Sequence, residues 1–582
     1  MTNQETRNTG KDSRMVASLF LILISYFLLC VAAPATHAQS VSLSTSPSRS
    51  TGGNGWGKGG KPKPTPAPTP APFKDPIWTG ANSSSWTDPN NWNPAGVPTG
   101  TSDVTFSRTP PNFPDQPSGT TTLHTISFSA DAASFTGLNT SGEIFALQDS
   151  ATFTAFTHAS SNLQTINQLD VYFASITANL NETINLSGTG GLTLSEGLRW
   201  GGGGLTTQRL VIQGPGPLIV NGTFEGGLNG SGAIGTQAHT IVLNGDATSG
   251  QTVTFNPTSG ATWSRVNDIT LGGRVTLNIA NAAAVDAGTV TFASGANNSS
   301  LLVTGVTSGS TFSRNIGFTA ASITGGTQTI GVSGVSAIFS GAISTAGTNN
   351  TVALSATATN TATFSGVISG ARPITITGGG TVIVTVANTY TGTTAVNAGT
   401  LFMNGSLAAG SAVTVSNSGT VLGGAGGTIN GSVSVGAGAI LEGGTGFTGQ
   451  TLTLKGAVSM GSGSIIELAL SSSASSTLTV GTGGSISFQS HQQFAFIDLG
   501  AVTNHSYTLA TGLTQSTLDT SNFTINQTID PNWDGIFSYS GGTLSVTLSV
   551  VPEPSTWIAA VLAMGALLIS QKRRLSRLPR KA

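Results

Sequence analysis

Over residues 120–484 the chain repeats one pattern: short runs in which apolar and small polar residues alternate, separated by glycine and asparagine pairs. Arg209-Leu210-Val211-Ile212, Thr240-Ile241-Val242-Leu243, Val275-Thr276-Leu277-Asn278-Ile279 and Thr381-Val382-Ile383-Val384 are such runs. A period of two, rich in β-branched residues, predicts strands with one buried side, because successive side chains point to opposite faces. The Gly-Gly, Asn-Gly and Ser-Gly pairs between them predict tight corners. No long helical segment interrupts the series. Regular short strands of this kind predict a mainly β solenoid, a parallel β-helix in which each coil buries its face on the next.

The flanks read differently. Residues 39–76 form a linker: Gly52-Gly53-Asn54-Gly55 begins a flexible half, and Lys61-Pro62-Lys63-Pro64-Thr65-Pro66 begins an extended polyproline half. Residues 77–119 place Trp78, Trp86 and Trp92 close together, followed by Pro98. This predicts a cap whose indoles cover the open end of the stack, with a sugar-stacking surface as the competing reading. The W…W…N-W…P opening is similar to that of other large exported bacterial β-repeat proteins, which favours the cap. Residues 485–549 carry more aromatics, among them Phe488, Phe494, Phe496, Tyr507, Phe523, Trp533 and Phe537, and predict a small antiparallel β-cap at the other end.

Composition narrows the function. Glycine makes up 78 of 582 residues and charged residues only 8%, against roughly 25% in an ordinary soluble domain. Between Pro76 and Val550 there are nineteen acidic and eight basic residues, a formal charge of −11. A body of that sign has no electrostatic footprint for nucleic acid. Hydrophobic residues reach 38%, too many for a disordered chain. The one cysteine, Cys30, lies near the N-terminus, so no disulfide is expected in the body.

A catalytic β-helix needs carboxylates gathered on one face. Asp149, Asp170, Glu182, Glu196, Glu225, Asp246, Asp268 and Asp286 stand apart in the sequence, though coils can bring distant acids together. His124, His158, His239, His491 and His505 show no zinc-binding spacing. Gly201-Gly202-Gly203-Gly204 lacks the Lys-Ser/Thr of a phosphate loop. The reading is therefore a non-enzymatic protein with no metal and no cofactor. A β-helical polysaccharide-binding or polysaccharide-degrading protein is the alternative.

The two ends carry addresses. Arg7, Lys11 and Arg14 precede an apolar stretch at 16–33, then Pro34-Ala35-Thr36-His37-Ala38. That predicts a signal helix over 1–38, cut between Ala38 and Gln39 by signal peptidase after engagement of the secretion machinery. At the other end Val551-Pro552-Glu553-Pro554-Ser555 leads into an apolar run at 557–569 and the basic cluster Lys572, Arg573 and Arg574. The prolines hold an extended, exposed handle, and the basic cluster stays cytoplasmic by the positive-inside rule. The apolar run is short of the roughly 20 residues of a robust span, which suits a single, temporary transmembrane helix.

This tail, residues 551–582, resembles the PEP-CTERM sorting signal of Gram-negative bacteria. The resemblance implies recognition of Pro552, Glu553, Pro554 and Ser555 by an exosortase, a membrane transpeptidase-like enzyme, and delivery to the cell surface or extracellular polymer. A second resemblance is local. Asn388-Thr389-Tyr390-Thr391-Gly392, followed by Val396-Asn397-Ala398-Gly399-Thr400-Leu401, is similar to the autotransporter-associated β-strand repeat, clearest over 374–444. It implies a right-handed helix. Asn388 is expected to stack as an amide ladder and Tyr390 to cover a corner. A true autotransporter also needs a C-terminal barrel of at least about eight strands, and only a short apolar run follows Ser549. The expected product is an exported structural or adhesive β-helix, with extracellular polysaccharide as a candidate partner.

Overall fold

In a computed structural model the protein is described over residues 75–550, apart from 116, 136–137, 139–142, 150–151, 174–180, 203–208, 229–238, 258–262, 283–287, 294–297, 306–308, 320–325, 349, 501, 503–504 and 530–532, and again over 561–570. The body is a parallel β-solenoid of about 14 turns. The coils up to Ser300–Val303 contribute to two sheets in turn, a third sheet joins from Ser310–Phe312 onward, and strands pair with their counterparts one coil on. The first sheet runs from Ile77–Trp78 through Asp103–Phe106 and Thr125–Phe128 to Ile368–Gly370.

The alternation read from the sequence is what sets the register. A shift of one residue would turn every apolar side chain outward, so the pairing is strongly specified. In the first sheet Val104, Ile126, Phe156, Ile184, Ile212, Leu243, Leu271, Phe292 and Phe318 lie opposite one another in successive coils, forming one buried row. The second sheet carries a like row through Leu277, Leu301, Ile330, Leu354 and Ile376. Stacked phenylalanines add contact along a row, as at Phe292–Phe318 (4.8 Å between centroids) and Phe339–Phe364 (4.9 Å).

The repeat noticed in the sequence is where the coils become shortest and most regular. Ile376, Val396, Val415 and Val435 occupy one row, so successive coils there take 20, 19 and 20 residues. The first sheet loses its regular strand in this stretch, at Asn388–Tyr390. Asn388 does not form an amide ladder, because Ile368 and Ser406 flank it in the neighbouring coils. Its Oδ1 accepts from Ile368 N (2.8 Å) and its Nδ2 donates to Val386 O (2.7 Å), adding to the main-chain bonds Thr389 N to Ile368 O (3.0 Å) and Thr391 N to Gly370 O (2.8 Å). Tyr390 is buried at the following corner, its hydroxyl 2.7 Å from Thr394 Oγ1, and burial pushes its pKa up to about 12.

Both ends are covered. Trp78, Trp86 and Trp92 are 2–3% exposed. Their rings lie 4.8–6.4 Å apart, and Trp86 meets Phe145 at 5.5 Å. The indole nitrogens of Trp78 and Trp92 donate to Asn112 O and Trp86 O, both at 2.9 Å. These indoles are packing elements, not an exposed sugar platform. At the other end parallel pairing continues past Gly484 through Ser485–Ser487, Gln493–Asp498 and Thr524–Ile525. The antiparallel part is the hairpin Trp533–Ser540/Thr543–Val550, laid on Ser506–Thr511. Gly541 (φ 57°) and Gly542 (φ 79°) make its two-residue turn, which needs positive φ at both positions. The aromatics of 485–549 thus fill the last coils as well as the cap: Phe494 packs on Phe537 at 4.8 Å.

The helix described near the C-terminus spans residues 561–570, about 15 Å at 1.5 Å per residue. Among the described residues no helix is long and apolar enough to cross a membrane.

Candidate functional site

The expected processing positions, Ala38 and Gln39, Pro552, Glu553, Pro554 and Ser555, and Lys572, Arg573 and Arg574, lie outside the described residues. The chemistry that can be built from structure is that of the body. There the acids that stand apart in the sequence meet partners on neighbouring coils.

Near the N-terminal end His124 bridges two coils. Its Nδ1 faces Asp103 Oδ1 and its Nε2 lies 2.8 Å from Asp149 Oδ2, while its ring stacks on Phe153 at 5.6 Å. Thr125 Oγ1 also donates to Asp103 (2.8 Å). Burial opposes charge on the imidazole, but the hydrogen bonds to Asp149 and Asp103 outweigh it and hold the pKa above the ordinary value. The cluster acts as a clamp on the first coils. Because the folded pKa is raised, its stabilisation is full below the unfolded value near 6.5 and fades as pH rises through the folded one. The wild-type protein is therefore expected to lose thermal stability in its tryptophan-rich end above about pH 6.5. Tryptophan emission during melts from pH 5 to 8 checks this against His124→Gln, which should show no such slope; equal slopes in both proteins would sink the clamp.

Further along, Asp170 and Arg199 sit opposite each other on adjacent coils. Arg199 Nε donates to Asp170 Oδ1 (2.9 Å), and Nη2 donates to Oδ2. Arg199 is in turn opposite Glu225, which accepts from Arg265 Nη1 at 2.5 Å. Negative and positive charges thus alternate over four coils. Arg314 and Arg372 are buried. Arg314 donates to Val266 O, and Arg372 donates to Ala346 O (2.6 Å) and Thr319 O (3.0 Å), with its guanidinium 5.2 Å above the Phe318 ring. Each ties a corner to carbonyls one or two coils away.

Two acids are buried against their chemistry. Glu182, fully enclosed, has no hydrogen bond on either carboxylate oxygen among the described residues, and burial raises its pKa well above the ordinary value. Glu442 is opposite Glu467 on the next coil and accepts from Gly446 N. Burial, with a smaller contribution from Glu467, pushes its pKa up to about 7.

Separation along the chain hides these pairings from the sequence. Partners are one coil apart: 21 residues for Asp103–His124, 25 for His124–Asp149 and 29 for Asp170–Arg199. Among the described residues no three His, Asp or Glu side chains are arranged to hold a metal ion. No family model matches the chain, and no curated protein or solved structure matches it either.

Proposed function

We propose that the chain is exported and sorted to the cell surface or extracellular matrix, where a right-handed β-helix serves as a structural or adhesive body. Residues 1–38 direct export, with cleavage between Ala38 and Gln39. The apolar run at 557–569 holds the tail transiently in the inner membrane, and Lys572, Arg573 and Arg574 keep its end cytoplasmic. Pro552, Glu553, Pro554 and Ser555 form the handle for an exosortase-type transpeptidase. The handedness follows from the strong preference of parallel crossover connections, about 98% right-handed.

The observation that carries the display reading is the outward row of the second sheet. Thr375, Ala395, Thr414, Ser434, Ser459 and Ser487 lie opposite one another on six successive coils. The last four of these are exposed, and the row is uncharged and uniformly short. Such a flat, hydroxyl-rich strip suits repeated contact with an extended partner, while the charged side chains described above are engaged between coils.

Mass spectrometry of the C-terminal peptide from membrane and extracellular fractions tests the sorting step. The expected result is a mature terminus near Pro552–Ser555, without the apolar run and its basic cluster. An added mass at that terminus indicates covalent transfer to a polymer. Recovery of chains ending at Ala582, in membranes alone, overturns the proposal.

A further inference from the structure

One cavity, of about 230 Å³, lies where three successive coils turn from the first sheet into the second. Pro215 and Pro217 supply the corner between strands Arg209–Gly214 and Leu218–Val220. Gln251 and Thr252 open the second-sheet strand of the next coil, and Arg274 and Thr276 come from the coil after that. The corner is held firmly. Asp246 Oδ1 accepts from Thr248 N (2.9 Å) and Ser249 N (2.7 Å), and Gln251 N donates to Arg274 O (2.9 Å). Gly250, at φ 74°, leaves the Arg274 stem close against the turn, since a Cβ there would meet Arg274 Cγ at 3.2 Å.

Two polar groups at this cavity are incompletely used. Arg274 is exposed and donates through Nη1 to Thr248 O (3.1 Å), but pairs with no carboxylate among the described residues. Gln251 is 3% exposed; its Nε2 donates to Gly216 O (3.1 Å), and its enclosed Oε1 accepts no hydrogen bond among the described residues. A buried amide oxygen without a donor costs about 1–3 kcal/mol. The corner thus combines a cation with open N–H groups, two threonine hydroxyls and two rigid apolar rings. It is smaller than the roughly 300–1,000 Å³ of drug-sized sites, so it suits one monosaccharide, not a length of chain.

We propose that this corner binds a single hexuronate residue, at an end or branch of a polysaccharide. The carboxylate lies against the open edge of the Arg274 guanidinium, which presents a fork matched to two oxygens. Ring hydroxyls meet Thr252 and Thr276, and the carbon face of the ring covers the prolines. The negative Asp246 on the same turn is engaged by backbone N–H groups, which hold its pKa below the ordinary value. Its charge limits affinity and makes a polyanion running along the surface a poorer fit than one acidic residue. The inference deepens the proposed surface role by naming a ligand class, and rests on that role only for where the ligand is met.

The test uses the purified full chain titrated calorimetrically with D-glucuronate and D-galacturonate, with D-glucose as neutral control. The expected result is saturable uronate binding without glucose binding, weakened about 10- to 100-fold by Arg274→Gln. Arg274→Lys, which keeps the charge and loses the fork, should bind with intermediate affinity; it also serves should the glutamine variant not fold. Far-UV circular dichroism confirms that the variants keep the wild-type fold. Absence of uronate binding, glucose binding of equal strength, or uronate binding indifferent to both substitutions overturns the proposal. Each of these outcomes is read on purified protein, so it is separate from the fate of the C-terminal tail.

Discussion

Replacing Arg199 by methionine is expected to destabilise the solenoid by about 3–5 kcal/mol, the cost of leaving a buried carboxylate without its partner. The Asp170 side chain is 4% exposed. Burial raises its pKa and Arg199 works against that rise, while the charge on Glu225 adds to it. Burial is the largest of these effects, so the pKa stays above the ordinary value even in the intact pair. Without the guanidinium, Asp170 keeps a hydrogen bond from Gln168 Nε2 (2.9 Å) and still feels the Glu225 charge. Replacing both partners, Asp170→Leu with Arg199→Met, should restore most of the loss, because an apolar pair of similar volume often matches a buried ion pair. Urea unfolding followed through Trp200, the inward-facing neighbour of Arg199 on the same strand, measures all three proteins. A loss under about 1 kcal/mol, the range of surface ion pairs, would show that water screens this rung.

Glu182→Leu is expected to act in the opposite direction, stabilising the protein by about 3 kcal/mol through removal of an unsatisfied buried polar group and addition of apolar burial. Glu182 stands between Phe153 and Leu210 in an inward row that continues through Ile241, Ile269, Val290 and Ile316. Leucine at 182 makes that row continuous. The pH dependence separates this account from a general packing effect. Burial raises the folded pKa, so the wild-type contribution is full below the unfolded value near 4.5 and is lost as pH rises toward the folded one. The gain from Glu182→Leu should accordingly grow between pH 4.5 and 7. Melting temperatures at those two pH values decide it: an equal gain at both, or a net loss at pH 7, rules the explanation out.

Much of the architecture was legible in the chain because strands alternate with a period that any solenoid must obey. Ile374–Thr377 and Thr381–Val384 show their inward residues as plainly in sequence as in space. The tryptophan cluster was legible for a similar reason, since an open end of stacked strands needs large rings to cover it. The extent of the C-terminal cap was less so. Aromatic enrichment over 485–549 marks both the last parallel coils and the hairpin, and composition does not distinguish parallel from antiparallel pairing. Asn388 shows the same limit. An asparagine at a corner can stack on another or bridge backbone groups, and the residues opposite it choose between these.

The sequence by itself determined the strand periodicity, the small uncharged character of the surface and the excess of acidic over basic residues, because each is a property of composition or of neighbours along one strand. Only the tertiary structure decided which charges meet. Coil length varies between 19 and 39 residues along the second sheet, from Val396 to Val415 at the short extreme and from Phe224 to Trp263 at the long one. One-coil neighbours therefore stand at no constant spacing, and neither the Asp170–Arg199 rung nor the corner shared by Pro217, Gln251 and Arg274 can be located until the coils are stacked.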